Sequence, residues 1–266
     1  MPVMRRGEVV TVHNPNRDDF GSASKHVELL KVDEHYSYQH RNIFWQLASF
    51  LFYYIIIPIP ALFVAAWCGM RLVDRRTVRR LGGCFMYANH TNWADIWIPY
   101  LLSFPKRAYI VTGPTAVSVP IAKHVVPMVG GIPLNTTPAG KEAFRSRLAD
   151  LVRRGHPVAI FPEAHIWPFY NGIRDFSPYS FTYPVHDASP VVPYVITYRP
   201  RRWLKWRRPC LTVTVGDPIH PETWAGSANP KQVVRDKVHD FMCETVRARH
   251  SLAWVTYQIG DGAEPS

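Results

Sequence analysis

The longest stretch of the chain without a charged residue covers residues 43–70, in which Gln46 and Ser49 are the only clearly polar side chains. A membrane-spanning helix needs about 20 apolar residues, so this stretch is long enough to reach across a bilayer. Pro58 and Pro60 lie near its middle and remove backbone donors, which favours a kink or a break. The pattern predicts a membrane-associated helical segment, either a kinked span or a helix–proline–helix that enters one leaflet and returns. The alternative is a buried helix of a soluble core.

Downstream of this segment, short apolar runs alternate with segments of helical periodicity. The runs predict strands at residues 84–88, 108–111, 158–160, 191–198 and 211–215, and a tight turn into a short strand at 129–134. The periodicity predicts helices at residues 94–104, 138–154 and 231–249. Because such alternation is typical of an α/β fold, we predict a mixed, largely parallel sheet flanked by helices. We expect this domain at residues 71–266, after a polar N-terminal tail at 1–42 and the apolar segment.

The chain carries a formal charge of +11 at neutral pH, which suits an anionic membrane surface, an acidic substrate or a nucleic acid. Residues 201–208 interleave basic side chains with tryptophan. Because an apolar anchor lies elsewhere in the chain, we interpret this segment as membrane-facing and expect no nucleic-acid partner. Arginines follow the apolar segment closely, at positions 71, 75, 76, 79 and 80. By the positive-inside rule we expect a cell-membrane protein whose active site faces the cytoplasm.

A histidine and a carboxylate five residues apart, His90 and Asp95, directly follow the predicted strand 84–88. On one continuous helix they would lie about 140° apart and would not share a face. With His90 in a loop and Asp95 in the first turn of a helix capped by Asn92, the carboxylate can point back at the imidazole. This is the arrangement of a general base with its orienting acid. The alternative is a structural histidine beside a capping aspartate.

A second polar cluster, which contains Glu163 and His165, follows the predicted strand 158–160. Both clusters therefore lie at the ends of buried-type strands. In open α/β sheets this edge is where ligands bind. The pattern indicates a single crevice formed by both clusters.

Four motifs in order resemble the glycerolipid acyltransferases, the family of lysophosphatidic-acid and glycerol-3-phosphate acyltransferases. They are His-x4-Asp (90–95), Gly-Gly-Ile-Pro-Leu (130–134), Phe-Pro-Glu (161–163) and Val-Pro (192–193). The resemblance covers roughly residues 84–218, and the Pro-Glu-Ala-His block at 162–165 is similar to a bacterial subgroup. The apolar segment suits the family as well.

The resemblance implies acyl transfer from acyl-CoA or acyl carrier protein to the hydroxyl of a lysophospholipid, lysophosphatidic acid, in phospholipid biosynthesis. His90 would take the hydroxyl proton, and Asp95 would hold the ring and stabilise the imidazolium. Glu163 would bind the acceptor or organise the site, and the turn at Gly130 and Gly131 would let backbone approach the substrate. Neither a metal nor a cofactor is expected, and membrane lipids are the expected partners.

Two departures from the family pattern concern the acceptor. The family usually has Gly-Thr-Arg after the motif glutamate and Asp-Arg at the end of the second block, whereas this chain has Ala-His-Ile at 164–166 and Asn-Thr at 135–136. The missing arginines are associated with the acceptor phosphate, so we predict Arg174 as a relocated cation. We expect His165 and Asn135 to contribute hydrogen bonds. Two alternatives stay open: an O- or N-acyltransferase with a non-phosphate lipid acceptor, and a catalytically inactive membrane lipid-binding protein.

Overall fold

The computed structural model describes residues 4–14, 18–20, 32–40, 42–135, 137–202 and 207–260. Its α-helices are α1 (Ile43–Leu51), α2 (Pro58–Trp67), α3 (Arg76–Leu81), α4 (Ile98–Ser103), α5 (Thr115–Ser118), α6 (Ala122–Met128), α7 (Lys141–Arg153), α8 (Thr182–His186) and α9 (Pro230–Ala248). Its strands are β1 (Glu8–Val12), β2 (Arg71–Val73), β3 (Phe85–Tyr87), β4 (Tyr109–Thr112), β5 (Gly131–Pro133), β6 (Val158–Ile160), β7 (Val191–Arg199), β8 (Cys210–Val215) and β9 (Val255–Ile259). A π-helical segment covers Phe52–Ile56, and 3-10 helices cover Trp93–Trp97, Pro178–Phe181 and Pro221–Thr223.

The main sheet has seven strands in the order β2-β8-β7-β3-β6-β4-β5. All neighbours are parallel except β7 and β8, which form an antiparallel hairpin. Every residue of β3, β6 and β8 is buried. Strands that are covered on both faces read as continuous apolar runs, which is why the sequence pattern located them. The predicted mixed, largely parallel α/β sheet is confirmed.

The apolar segment forms one continuous helix, Ile43–Trp67, that is long and apolar enough to cross a membrane. The two prolines do not interrupt it, because Pro58 occupies the first position of α2, where no intrahelical donor is needed. The π-helical turn before it absorbs the irregularity, with Ile57 N donating to Phe52 O at 3.0 Å. Only 22% of the most apolar part of this helix is buried. Its exposed apolar face suggests membrane association.

The opposite face of this helix is fixed to the domain. Ser49, Tyr53 and Ala61 are buried on that face. The Tyr53 hydroxyl accepts a hydrogen bond from Ala108 N at 2.8 Å, and Ser49 Oγ donates to Met128 O at 2.9 Å. The helix therefore lies along the domain, and its contacts reach from α1 to α2.

A second, two-stranded sheet pairs β1 in parallel with β9, from opposite ends of the chain. It lies against the loop that follows β6, since Trp167 Nε1 donates to Asp18 O at 2.9 Å and the Tyr257 hydroxyl donates to Pro168 O at 2.9 Å. The described parts of the N-terminal 42 residues thus pack on the domain. Neither strand was predicted from the sequence.

Candidate active site

Two loops meet at the carboxyl edge of the main sheet because β3 and β6 are adjacent and parallel. One loop follows Tyr87 and the other follows Ile160. The first is held to β7 by Asn89, whose side chain donates to Ile196 O at 3.0 Å and accepts from Ile196 N at 2.8 Å. These two hydrogen bonds between the buried Asn89 amide and the backbone of β7 fix the position of the next residue, His90. The sequence did not single out Asn89 for this function.

His90 and Asp95 form the pair that the sequence predicts. His90 Nδ1 lies 3.0 Å from Asp95 Oδ2, and the same oxygen accepts from the backbone amides of Thr91 and Asn92 at 2.7 Å each. Asn92 caps the 3-10 helix in which Asp95 lies. The capping geometry therefore turns the carboxylate back toward the imidazole.

This hydrogen bond also fixes the tautomer of His90. A carboxylate oxygen can only accept, so Nδ1 carries the proton and donates to Asp95. In the neutral imidazole Nε2 then keeps its lone pair, as a general base requires. The ring stacks on Phe161, with centroids 4.4 Å apart. Burial raises the pKa of Asp95, whereas the hydrogen bond and charge of His90 and the amides of Asn92 and Thr91 oppose that shift.

Glu163 joins the two loops through a buried ion pair. Its Oε2 accepts from His90 N at 3.2 Å and from Arg174 Nη2 at 2.9 Å, and its Oε1 accepts from Arg174 N at 3.1 Å. Arg174 also donates to His165 O and lies 4.8 Å over the Trp167 ring. Burial raises the pKa of Glu163, and the Arg174 charge opposes this shift most strongly. The chain does fold Arg174 back over the site, but its guanidinium is engaged with Glu163.

Three other predicted site residues lie away from this pair. Gly130 and Gly131 are at the start of β5, and a Cβ on Gly130 would come within 2.5 Å of Ala108 O. Gly130 therefore allows a close approach between backbones at the amino end of β4, whereas His90 lies at the carboxyl ends of the strands. Asn135 follows β5 and accepts from Thr137 N at 2.8 Å, which organises its own loop. Its neighbour in the motif, position 136, lies outside the described residues.

The loop after Glu163 contains a residue in the left-handed backbone conformation. Ala164 adopts a left-handed conformation with φ of 63°. A residue with a Cβ is strained by about 1–2 kcal/mol in this region, whereas glycine is not. His165 follows with its side chain 35% exposed and its Nδ1 3.9 Å from Asp19 Oδ2. His165 is thus close to the glutamate loop but is not bonded to His90 through any contact of the described residues.

Two arginines of the β7–β8 hairpin lie beside the histidine loop. Arg201 donates to Trp67 O and to Arg208 O, and the Arg208 guanidinium lies 5.8 Å from the Phe169 ring. Both arginines line a narrow cleft of about 20 Å³, room for about one water molecule, together with Trp67, Asn92, Trp93 and Phe169. The sequence pattern marked residues 201–208 only as a membrane-facing segment, of which 203–206 lie outside the described residues. Across the described parts of the chain, no cluster of His, Cys, Asp and Glu could hold a metal ion.

Comparison with known proteins agrees with the fold and with the motifs. Residues 70–197, just under half of the chain, match the family model described as Acyltransferase, and the protein is an acyltransferase. Its fold is similar to the crystal structure of the 1-acyl-sn-glycerophosphate (LPA) acyltransferase PlsC from Thermotoga maritima, with a TM-score of 0.54 and 15% identity. That match covers 81% of this chain and 99% of the other. No curated protein matches the chain.

Proposed function

We propose that the protein transfers a fatty acyl group from acyl-CoA or acyl carrier protein to the hydroxyl of a lysophospholipid, with lysophosphatidic acid as the acceptor, in phospholipid biosynthesis. The single observation that carries this proposal is the His90–Asp95 pair, 3.0 Å apart at the carboxyl edge of the sheet in an acyltransferase domain. The name of the similar Thermotoga enzyme supports the choice of acceptor.

In the proposed reaction His90 Nε2 takes the proton of the acceptor hydroxyl as that oxygen attacks the thioester carbonyl. The tetrahedral intermediate collapses with cleavage of the carbon–sulfur bond. The imidazolium then gives its proton to the departing thiolate, so that the products are an ester and a free thiol. Asp95 stabilises the imidazolium and keeps the ring in position. Such acid–base assistance is worth about a hundred- to ten-thousandfold in rate.

Glu163 acts as a positioning residue in this proposal. It accepts a hydrogen bond from the backbone amide of His90, and its carboxylate is held by Arg174. The buried pair therefore fixes the distance between the loop after β3, which carries the base, and the loop after β6, which carries Glu163 and Arg174. Because the Arg174 guanidinium is paired with Glu163, another cation is needed to bind the acceptor phosphate.

For that phosphate we propose Arg201 and Arg208. Among the described residues neither pairs with a carboxylate, and both line the cleft that begins at Asn92, two residues after the base. Guanidinium groups bind phosphate through charge-assisted, often bidentate hydrogen bonds. Trp67, at the end of the apolar helix, lines the same cleft. In this proposal the acceptor phosphate lies against the two arginines at the outer rim of the cleft, which is too small to enclose it, and the acyl chain follows the apolar helix.

We further propose that the protein is attached to the cytoplasmic face of the cell membrane by the exposed apolar face of the helix Ile43–Trp67. Ser49, Tyr53 and Ala61 on its other face are buried against the domain. A helix held along the domain in this way favours insertion into one leaflet over an independent span.

The experiment is product analysis with labelled acyl-CoA or acyl carrier protein and a panel of acceptors. The proposal predicts a new diacyl product from lysophosphatidic acid and little from monoacylglycerol, its dephosphorylated counterpart. The second candidate, a non-phosphate lipid acceptor, is favoured by the absence of the two family arginines. It predicts equal or faster acylation of the uncharged acceptor. Absence of thioester consumption with every acceptor would instead support a lipid-binding protein.

A further inference from the structure

A cavity of about 360 Å³ lies between the N-terminal half of the apolar helix and the sheet. Its walls come from α1, from the segment of residues 36–40, from the start of β4, from β5 and from α7 with its C-cap residue. Ligand pockets commonly begin at about 300 Å³, so a small head group fits. Its basic lining consists of Arg107, Arg147 and Arg154.

The cavity carries an excess of positive charge. Asp150 bonds both Arg147, at 3.2 Å, and Arg154, at 2.9 Å, whereas Arg107 pairs with no carboxylate of the described residues. Two of the three guanidinium groups therefore share one carboxylate, and the third has none. Burial lowers the pKa of the neighbouring His156, and the charges of the three arginines add to this shift, whereas a hydrogen bond with the backbone of Arg107 opposes it.

Two of the arginines are held in place by the protein itself. The Tyr109 ring has Arg107 at 5.3 Å and Arg147 at 5.8 Å from its centroid. Arg107 Nη2 donates to Ser49 Oγ at 2.8 Å and to Met128 O at 2.6 Å. These contacts order both side chains in advance, which lowers the entropy that an anion must overcome on binding. Arg154, whose side chain is 66% exposed, lies toward solvent.

The cavity borders the apolar face of the helix. Phe50 lines it and is itself exposed on that face, and Trp45 contributes a second aromatic wall. If the apolar face enters the acyl-chain region, the adjacent arginines lie at the level of the lipid phosphates. Basic pockets next to membrane helices are suited to anionic head groups.

We propose that this cavity is a binding site for the phosphate head group of an anionic phospholipid, held by Arg107, Arg147 and Arg154. It is separate from the active site. The strands β3, β6 and β4 are parallel, so their amino ends lie at one edge of the sheet and their carboxyl ends at the other. The cavity adjoins the amino end of β4, whereas His90 follows the carboxyl end of β3. The lipid is thus a bound component of the membrane and not the acyl acceptor, and the inference holds whichever acceptor is used.

The test is calorimetric titration of the whole protein in nonionic detergent with dihexanoyl phosphatidylglycerol, dihexanoyl phosphatidylcholine and glycerophosphate. Wild type should bind the anionic lipid at least tenfold more tightly than the other two. The double substitution Arg147→Gln/Arg154→Gln should weaken that binding about tenfold or more, because it removes two charge-assisted contacts. Arg153→Gln is the matched control, since Arg153 is exposed on the same helix and does not line the cavity.

Folding is checked through Arg154→Gln alone and through Arg147→Lys/Arg154→Lys, which should retain most of the affinity. The proposal is overturned by equal affinity for the two lipids, or by an equal loss in Arg153→Gln. Binding of glycerophosphate as tight as that of phosphatidylglycerol would assign the cavity to a soluble phosphate instead. A raised KM for acyl-CoA in the double variant, with lipid binding unchanged, would assign it to the phosphates of the donor.

Discussion

Arginine is used in opposite ways at the two edges of the main sheet. At the carboxyl edge Arg174 is buried against Glu163, and the carboxylate is satisfied by four hydrogen bonds from Arg174 and His90. At the amino edge three arginines line an open cavity, and Asp150 pairs with only two of them, Arg147 and Arg154. The first arrangement fixes atoms for chemistry, and the second leaves charge available for a ligand. We therefore expect substitutions at the first edge to alter turnover or folding, and those at the second to alter binding.

The largest effect is expected from Asp95→Asn. The amide can still accept from the backbone of Thr91 and Asn92, so the fold should persist, but the imidazolium loses its stabilising charge. Turnover should fall about a hundred- to ten-thousandfold. The control is Asp187→Asn, because Asp187 pairs with a histidine, His186, at 2.9 Å outside the two loops of the site. Comparable turnover of the two variants would remove Asp95 from the mechanism.

Arg174→Ala should be the next most severe change. It leaves Glu163 buried without its cation, and loss of one partner of such a pair costs about 3–5 kcal/mol. Chemical denaturation should show this loss, together with reduced turnover, because Glu163 also holds the backbone of His90. Arg145→Ala, which breaks the surface pair with Glu142, should leave the unfolding midpoint almost unchanged. An equally small effect of both substitutions would mean that the buried pair does not stabilise the two loops.

Substitution of the hairpin arginines should give a more selective effect. Arg201→Ala/Arg208→Ala should raise the KM for lysophosphatidic acid about ten- to a hundredfold, because charge-assisted bonds are worth about 1.5–3 kcal/mol. The KM for an uncharged monoacylglycerol should not change. Arg207→Ala serves as the control, as this exposed residue of the same hairpin does not line the cleft. A loss of the same size with both acceptors would argue against phosphate binding by this pair.

The smallest effect concerns the left-handed residue after the motif glutamate. Ala164→Gly should stabilise the protein by about 1 kcal/mol, because glycine adopts this conformation without the strain of a Cβ. Ala143→Gly, at an exposed position within α7, should destabilise it by about 1 kcal/mol through lost helix propensity. Thermal unfolding measures both changes. Destabilisation by both glycines would show that residue 164 is not strained.

The sequence predicted those features that depend on local order in the chain. The strands β3 and β6 appear as apolar runs because they are buried on both faces. The contact between His90 and Asp95 follows from a loop residue, a cap and a first helical turn, all within six consecutive residues. Local rules of helix capping are therefore enough to place these two side chains together.

Features that depend on distant residues were not accessible in this way. The pairing of β1 with β9 joins residues nearly 250 positions apart, and no local pattern marks either strand as the partner of the other. The same applies to Arg174, whose partner Glu163 could be identified only once the loop path was known. The continuity of the helix past Pro58 depends on a π-helical turn, which has no sequence signature comparable to a cap.

His90→Ala offers the clearest test of acyl transfer at the carboxyl edge. Release of free thiol from acyl-CoA or acyl carrier protein is followed in the presence of lysophosphatidic acid, together with formation of the diacyl product. Wild type should release one thiol per product, and His90→Ala should lose at least about a hundredfold in rate. His186→Ala, which removes a surface histidine, should retain full activity. Near wild-type turnover of folded His90→Ala would contradict the assignment of His90 as the general base.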